Sequence, residues 1–229
     1  MGNRTAAEAK QDYVSVMGDE LGSIFNELQQ RVVWLHWIWG EYVELFGNKS
    51  SRVDLLNSTA PFFFRVVHDA LWESTILTVA KLTDPPSSSG MPNLTISRLP
   101  KLIVEKDLQR DIEEQIEKTK SDSKFCRDWR NRALAHFNLE FALDSKTNPL
   151  EEATRAKLNI AVYSISTVIN TILSYYSGGT IGFGGQIDSH RGAIGLLHVI
   201  NNGLKFAADR SKRLQSGDFS ADDIGRVDI

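Results

Sequence analysis

The stretch PLEEATRAKLNIAVYSISTVINTILSYYS, residues 149–177, has the most regular apolar pattern in this 229-residue chain. Its apolar residues recur at steps of three and four, which places them on one face of an α-helix. They are Leu158, Ala161, Val162, Ile165, Val168, Ile169, Ile172, Leu173 and Tyr176. Asn148 is suited to the N-cap, Pro149 to the first turn and Gly178-Gly179 to the end. We therefore predict a long helix over 149–177 with one continuous buried face.

The remaining chain also has mostly helical spacing. Helices are predicted over about residues 5–45, 51–83, 97–104, 106–136 and 189–214. The apolar stripe of 51–83 is wide enough for a central helix, which Pro61 is expected to kink or divide. Asp84-Pro85-Pro86 ends that helix, and Ser87–Gly90 is predicted to be a loop.

Strand-like alternation is nearly absent from the sequence, which predicts an all-α helical bundle. The length and the 41% hydrophobic content fit one large domain and exclude disorder throughout. We expect a single helical domain over 1–215, with extra N- and C-terminal helices, and a polar tail over 216–229.

Composition also bears on location. The N-terminus lacks an apolar signal region, and no uninterrupted apolar run approaches the ~20 residues of a membrane span. The single cysteine, Cys126, forms no internal disulfide and supplies no thiolate zinc site alone, as is typical of a reducing compartment. A cytoplasmic protein without membrane contact is expected.

Neither the histidines nor the glycines indicate a cofactor. The four histidines outside the segment discussed below lack the His-x-x-x-His or Glu-x-x-His spacing of a metal site; they are His36, His68, His190 and His198. The glycine-rich residues 178–185 lack the Lys-Ser/Thr ending of a phosphate loop and follow a helix, so we interpret them as a connector. His190-Arg191 could bind a phosphate, but an ordinary surface role is favoured.

The chemically richest segment is FCRDWRNRALAH, residues 125–136. The stretch from Lys118 to His136 contains six basic residues and two acidic ones, although the whole chain has a formal net charge of -3. This is a basic patch on a slightly acidic protein, which argues against a stable nucleic-acid coat and permits brief contact with a polyanion.

The motif within this segment is Arg130-Asn131, followed after four further residues by His136. It resembles the Arg-(four to six residues)-His signature of the HEPN superfamily, in which a polar residue usually follows the arginine. The order of elements also resembles the abortive-infection branch of that superfamily. An aromatic-rich first helix is followed by a long apolar helix that ends in Ala80-Lys81-Leu82-Thr83-Asp84, a Leu-Thr-Ile-Ser segment and then the motif.

The resemblance implies a helical HEPN fold and a homodimer that brings two copies of the motif into one cleft. It also implies metal-independent RNA cleavage, in which the ribose 2'-hydroxyl attacks the adjacent phosphate, so that DNA is not cut. His136 would move the proton, Arg130 would neutralise charge on the phosphoryl oxygens, and Asn131 would orient the phosphate or the histidine. The residues expected to assist in binding RNA phosphates are Arg127, Arg132 and Lys124.

Three alternatives remain open in the sequence. On an ideal helix Arg130 lies about 120 degrees away from His136, whereas Arg132 lies nearly on the same face, so Arg132 competes for the role. Many HEPN toxins paired with a nucleotidyltransferase have a Tyr two residues after the His. Here that position is Asn138, which argues against regulation at that tyrosine but leaves room for an antitoxin partner. The alternative function is a non-catalytic helical binding or regulatory module, because basic clusters on helices are usually solvated faces.

Large aromatic residues crowd the end of the first predicted helix on several faces: Trp34, Trp37, Trp39 and Tyr42. Burial against the wide apolar helix over 51–83 is the favoured interpretation. Contact with a second subunit is the alternative, because interface centres are rich in Trp and Tyr. A stacking platform for nucleic-acid bases ranks third.

Overall fold

The computed structural model of the protein describes residues 5–135, 138–144, 146–183 and 191–224. Within these ranges the regular structure is helical apart from one two-residue hairpin, which confirms the predicted all-α class. The α-helices are α1 (Ala6–Met17), α2 (Asp19–Tyr42), α3 (Ser50–Thr59), α4 (Pro61–Leu82), α5 (Lys106–Asp122), α6 (Lys124–Trp129), α7 (Leu139–Leu143), α8 (Arg155–Ser177), α9 (Ala193–Ser216) and α10 (Ala221–Ile224). A 3-10 helix spans Ile96–Leu102, and π-helical turns span Val43–Gly47 and Arg130–Leu134.

The chain packs as two compact units. One consists of Met1–Gly40 and Ala70–Gly185, and the other of Glu41–Asp69 and Gln186–Ile229. The first unit contains α8 and the basic motif. The single domain expected over 1–215 stays a prediction.

Helix α8 supplies the core of the first unit. Its predicted apolar face is buried, and the side chains from Leu158 to Ile172 on that face have no exposed area. Helix α5 packs along α8 and contributes Leu108, Ile112 and Ile116. Among the described helices α8 is long and apolar enough to cross a membrane, and its packing inside the unit accounts for that composition. As predicted, α8 ends at a glycine, because Gly178 adopts a φ of 68° that a side chain would disfavour.

The predicted start of α8 at residue 149 is wrong. The helix begins after Thr154, whose side chain accepts a hydrogen bond of 3.2 Å from the Lys157 N–H. The preceding segment is non-helical because its backbone is bonded elsewhere. The Glu151 N–H donates to Asp128 Oδ2 at 2.9 Å, and the Trp129 indole N–H donates to the Glu151 carbonyl at 2.8 Å. These tertiary bonds outweigh the local capping pattern that the sequence offers.

The helix predicted over 51–83 is divided at Pro61, which is the first residue of α4. A proline fits this position because the first helical N–H has no partner within the helix. The prediction that its apolar stripe is central is wrong for the first turns of α4. Phe62, Phe63 and Val66 are 89%, 61% and 67% exposed, whereas Ile76 and Ala80 in the later turns are fully buried.

Two other predicted helices are also interrupted. The helix expected over 5–45 breaks at Gly18, which has a φ of 82°, and ends in a π-helical turn. After this break the backbone returns so close to α1 that a Cβ on Gly22 would meet the Val14 Cα at 2.6 Å. The helix expected over 106–136 breaks at Ser123 and again where its π-helical turn begins.

The segment between α4 and α5 contains a minimal hairpin, in which β1 (Ser87–Ser88) pairs antiparallel with β2 (Met91–Pro92). The loop predicted over Ser87–Gly90 is therefore a tight hairpin. Ser89 and Gly90 have φ angles of 50° and 79°, as a type I' turn requires. The 3-10 helix that follows agrees with the short helical turn predicted over 97–104.

The second unit contains α3, α9 and the first π-helical turn. Glu41 accepts a 2.6 Å hydrogen bond from the Ala193 N–H at the start of α9. The predicted start of this helix at Ser189 lies outside the described residues. Part of the predicted polar tail is ordered as α10, where Arg213 binds Asp223 at 2.5 Å and lowers the pKa of that carboxyl to about 2.

The cap of α8 gives the first testable prediction. Thr154→Ala removes the acceptor for the Lys157 N–H and is expected to lower the free energy of unfolding by about 1 kcal/mol. Asn148→Ala is the matched control, because the sequence pattern gives Asn148 the same role and the structure does not. It should cost less than about 0.5 kcal/mol. Urea denaturation measures both changes, and a larger loss at Asn148 would contradict this start of α8.

Candidate functional site

The basic motif lies where α6 passes into a π-helical turn. The Ala135 N–H donates to the Arg130 carbonyl five residues earlier, at 2.8 Å. This wider turn replaces the ideal α-helix on which the angles from Arg130 and Arg132 to His136 were predicted, so those angles do not apply. His136 lies outside the described residues. Single π-helical turns within helices are frequent at functional sites.

Arg130 is held at two of the three nitrogens of its guanidinium group. Its Nη1 forms an ion pair with Asp84 Oδ2, and its Nε donates to Asn131 Oδ1 at 3.0 Å. The side chains of Arg130 and Asp84 are 22% and 17% exposed, so this pair is partly shielded from water. Nη2 of Arg130 has no hydrogen bond to any residue that the structure describes. Arg130 is therefore anchored while part of its guanidinium group keeps free donors.

Asp84 directly follows the C-terminal end of α4, and two arginines bind this end. Arg127 Nη2 donates to the Thr83 carbonyl at 3.2 Å, and Arg130 holds the Asp84 carboxylate. Cations are favoured here because the last carbonyls of a helix lack intrahelical partners and carry a partial negative charge. Two buried atoms of this cluster, Asp84 Oδ1 and Arg127 Nε, have no hydrogen-bond partner among the described residues.

Arg132 uses both terminal nitrogens of its guanidinium group to bond its own fold. It bonds Asp128 Oδ1 at 3.3 Å and the Pro149 carbonyl at 3.2 Å, and it also donates to the Asn148 carbonyl. Its guanidinium carbon lies 5.3 Å from the centre of the Phe141 ring. Together with Asp128, it holds the segment before α8 against the motif. The structure thus gives Arg132 a structural position, whereas Nη2 of Arg130 has no partner among the residues described.

Lys124 is exposed, whereas Arg127 and Arg132 among the predicted phosphate-binding residues are half-buried. Its side chain is 73% exposed and forms a 2.7 Å ion pair with Glu151, whose hydrogen bond raises the pKa of Lys124. Ion pairs this exposed are weak, so Glu151 holds the ammonium group only loosely.

The local charge is more balanced than the sequence count suggests. Five of the six basic residues between 118 and 136 are ion-paired to carboxylates of the described chain, and Arg127 bonds a carbonyl. The pairing carboxylates are Asp122, Glu117, Glu151, Asp84 and Asp128. Sequence analysis missed Asp84 and Glu151 because both lie far from the motif along the chain. The sequence did contain one indication of Asp84, because it places a carboxylate at the end of a predicted helix, directly before Pro85-Pro86.

Several other candidates receive ordinary structural positions. Cys126 is buried, and burial raises the pKa of its thiol, so it does not supply a nucleophilic thiolate. His190 lies outside the described residues. No group of three metal-ligating side chains is found among the residues that the structure describes.

Comparison with protein-family models matches residues 18–193 to AbiU2, a family of the HEPN-type abortive-infection proteins. The chain belongs to the AbiU2 family. The match runs from the start of α2 through the basic motif and α8 to the start of α9. It confirms the resemblance drawn from the sequence. Comparisons with curated proteins and with solved structures found no match.

In this AbiU2-family chain the aromatic cluster of α2 divides into two groups. Trp39 and Tyr42 are 4% and 7% exposed, as predicted by the burial interpretation. Trp34 and Trp37 are 56% and 50% exposed and pack edge to face, with ring centres 6.1 Å apart. The second pair leaves a large apolar surface on α2 uncovered.

The different environments of the motif's cations predict different effects on stability. Arg132→Ala removes bonds to one carboxylate and two carbonyls and should lower the free energy of unfolding by about 1–3 kcal/mol. Lys124→Ala removes an exposed ion pair and should leave it nearly unchanged. Thermal and urea denaturation test this contrast, and equal losses would show that Arg132 does not hold the segment before α8.

Proposed function

We propose that this chain is a metal-independent endoribonuclease of the abortive-infection type, in which Arg130 and His136 act on the scissile phosphate. The observation that supports this best is the state of Arg130. Asp84 and Asn131 hold its guanidinium group while Nη2 keeps its donors, at the start of the π-helical turn six residues before His136. Membership of the AbiU2 family also supports an abortive-infection role.

The reaction begins when the ribose 2'-oxygen attacks the adjacent phosphorus and the bond to the 5'-oxygen breaks. The products are a 2',3'-cyclic phosphate and a 5'-hydroxyl. One proton leaves the 2'-hydroxyl and one is added to the departing 5'-oxygen. His136 suits either transfer, because an imidazole titrates near neutral pH. Negative charge builds on the non-bridging phosphoryl oxygens, where the free donors of Arg130 stabilise it.

The geometry favours Arg130 over Arg132 as the phosphate ligand. The donors of Arg132 are directed at Asp128 and at two backbone carbonyls, and moving them would release the segment before α8. The donors of Arg130 that face Asp84 and Asn131 fix its position before substrate arrives. Such preorganisation is the main source of electrostatic catalysis.

The neighbouring residues take supporting roles in this proposal. Asn131 positions Arg130 by accepting from its Nε. Lys124 attracts the RNA backbone from solvent. Arg127 supports the site indirectly, because it ties α6 to the Thr83 carbonyl beside Asp84. Arg132 contributes to structure only, because it holds the segment before α8 in place.

A homodimer in the cytoplasm completes the proposal. Two motifs facing one cleft would surround the phosphate with two arginines and two histidines, as in the family that the sequence resembles. The exposed Trp34 and Trp37 provide apolar surface of the kind found at subunit interfaces. An antitoxin that covers the cleft fits a nuclease of this type.

One observation favours the alternative, a non-catalytic helical binding or regulatory module. Five of the six basic residues of the patch already have carboxylate partners within the described chain. This pairing is typical of a solvated helix face and leaves little net positive charge to attract RNA. A non-catalytic module would also not need a proton donor at His136.

The nuclease proposal predicts a specific pattern of variants. In EDTA, the purified protein should cleave structured RNA, and His136→Ala or Arg130→Ala should each reduce the rate by about 100-fold or more. Lys124→Ala is the matched control within the patch and should reduce the rate by less than about tenfold. Gel-resolved cleavage rates and melting temperatures are measured together. Intact RNA at micromolar concentrations of folded dimer would support the binding module instead.

Asp84 should act as a positioning residue for Arg130. Asp84→Ala leaves the guanidinium group without its anchor and should lower kcat by about 10–100-fold with little change in KM. Asp84→Asn retains an oxygen acceptor and should recover part of that loss. Glu151→Gln, which removes the partner of exposed Lys124, is the control and should leave kcat nearly unchanged. A rise in kcat on removal of Asp84 would instead mean that this carboxylate inhibits Arg130.

A further inference from the structure

A cavity of about 770 Å³ lies between α5, the C-terminal half of α8 and the non-helical residues 180–183. Its volume is within the range of small-molecule sites, and it shares no lining residue with the basic motif. It belongs wholly to the first unit. The nuclease proposal gives this cavity no role.

One wall of the cavity is fixed by a paired hydrogen bond. The Asn170 side chain donates to the Ile181 carbonyl at 3.1 Å and accepts from the Ile181 N–H at 2.8 Å. A side-chain amide that satisfies both backbone groups of one residue holds that residue as a neighbouring strand would. The non-helical segment is therefore held beside α8 without closing the space between α8 and α5.

The floor of the cavity is equally well defined. Phe183 stacks on the buried His36 ring with centres 5.1 Å apart and an interplanar angle of 19°. Ser166 Oγ lies 3.0 Å from the Val162 carbonyl oxygen and also forms a hydrogen bond with His36 Nε2, which holds the imidazole against α8. Burial lowers the pKa of His36 to about 4, so the ring is neutral at neutral pH.

Four hydroxyl groups in the lining have no hydrogen-bond partner within the described ranges. They belong to Tyr163, Ser174, Tyr175 and Thr180. Tyr163 and Tyr175 are 51% and 54% exposed, so their rings offer faces as well as hydroxyls at the rim. Hydroxyls both donate and accept, which suits a ligand that itself carries several hydroxyls.

The charge of the residues that line the cavity disfavours phosphorylated ligands. Among the lining residues that the structure describes, Asp111 carries the one carboxylate, and none is a lysine or an arginine. One oxygen of Asp111 accepts from Gln115 at 3.0 Å, while the other is open to a ligand hydroxyl. A phosphate group would meet this negative charge without a compensating cation.

We propose that this cavity binds a neutral polyhydroxylated ring, either a sugar or the ribose of an unphosphorylated nucleoside. One of the two tyrosine rings, which lie about 18 Å apart along α8, packs against the ring's C–H face, and the free hydroxyls with Asp111 bond its hydroxyl groups. The site is separate from Arg130, so this proposal stands or falls independently of the nuclease proposal.

Saturation-transfer NMR and calorimetry on the full chain test this with matched pairs of compounds. The pairs are ribose and ribose 5-phosphate, glucose and glucose 6-phosphate, and adenosine and adenosine 5'-monophosphate. At least one neutral compound should bind, and its phosphorylated partner should bind at least about tenfold more weakly. Whether ribose, glucose or adenosine binds best distinguishes a sugar ligand from a nucleoside.

Two variants locate the binding. Ser174→Phe fills the cavity from an exposed helix position and should abolish binding, whereas Ser177→Phe, which lies outside the lining, should not. Asp111→Asn should strengthen binding of the phosphorylated partner by about threefold or more. Asp107→Asn, one turn earlier on α5 and outside the lining, should leave it unchanged. The proposal is overturned if no neutral compound binds, if phosphorylation does not weaken binding, or if binding survives Ser174→Phe.

Discussion

The ion pair between Asp84 and Arg130 is the interaction on which the functional account depends. It joins the end of α4 to the start of the π-helical turn, two points 46 residues apart in the chain. Because both side chains are partly buried, breaking the pair would leave a poorly hydrated charge on each. The pair therefore fixes Arg130 in one position, and within the described ranges its Nη2 has no partner, which is why the proposal assigns this nitrogen to the phosphate. Arg127, bound to the neighbouring Thr83 carbonyl, holds the same junction from α6.

The sequence predicted the fold class because the main cause of helix burial is local and periodic. The apolar face of α8 appears in the structure as the three- and four-residue spacing indicated, and Gly178 ends the helix where expected. The errors arose where distant contacts decide the backbone. Residues 149–154 have a good capping pattern, yet Asp128 and Trp129 take the backbone groups that a helix would use. The exposed Phe62 and Phe63 show the same limit, because an apolar stripe does not specify what will cover it.

The sequence predicted which residues form the candidate site. It did not predict how those residues are arranged or which partners they bind. Spacing and the family resemblance selected Arg130, Asn131 and His136, and the family match supports that choice of family. Two partners of the cations could not be read from the motif, because Asp84 lies before α5 and Glu151 lies before α8. The π-helical turn was also invisible, since an i to i+5 bond has no short sequence signature here. It removed the angular argument for Arg132, whose donors are used to hold the fold.

The central claim is that this AbiU2-family chain cleaves RNA by attack of the RNA's own ribose 2'-hydroxyl on the adjacent phosphate. In that proposal Arg130 binds the phosphate. The most direct measurement is the chemistry of the products from one RNA in EDTA, compared with the same RNA carrying a single 2'-deoxy substitution at the cleaved nucleotide. The account predicts a 2',3'-cyclic phosphate and a 5'-hydroxyl from the first and no cut at that position in the second. Cleavage that persists at the deoxy position, or that leaves a 5'-phosphate, would contradict it.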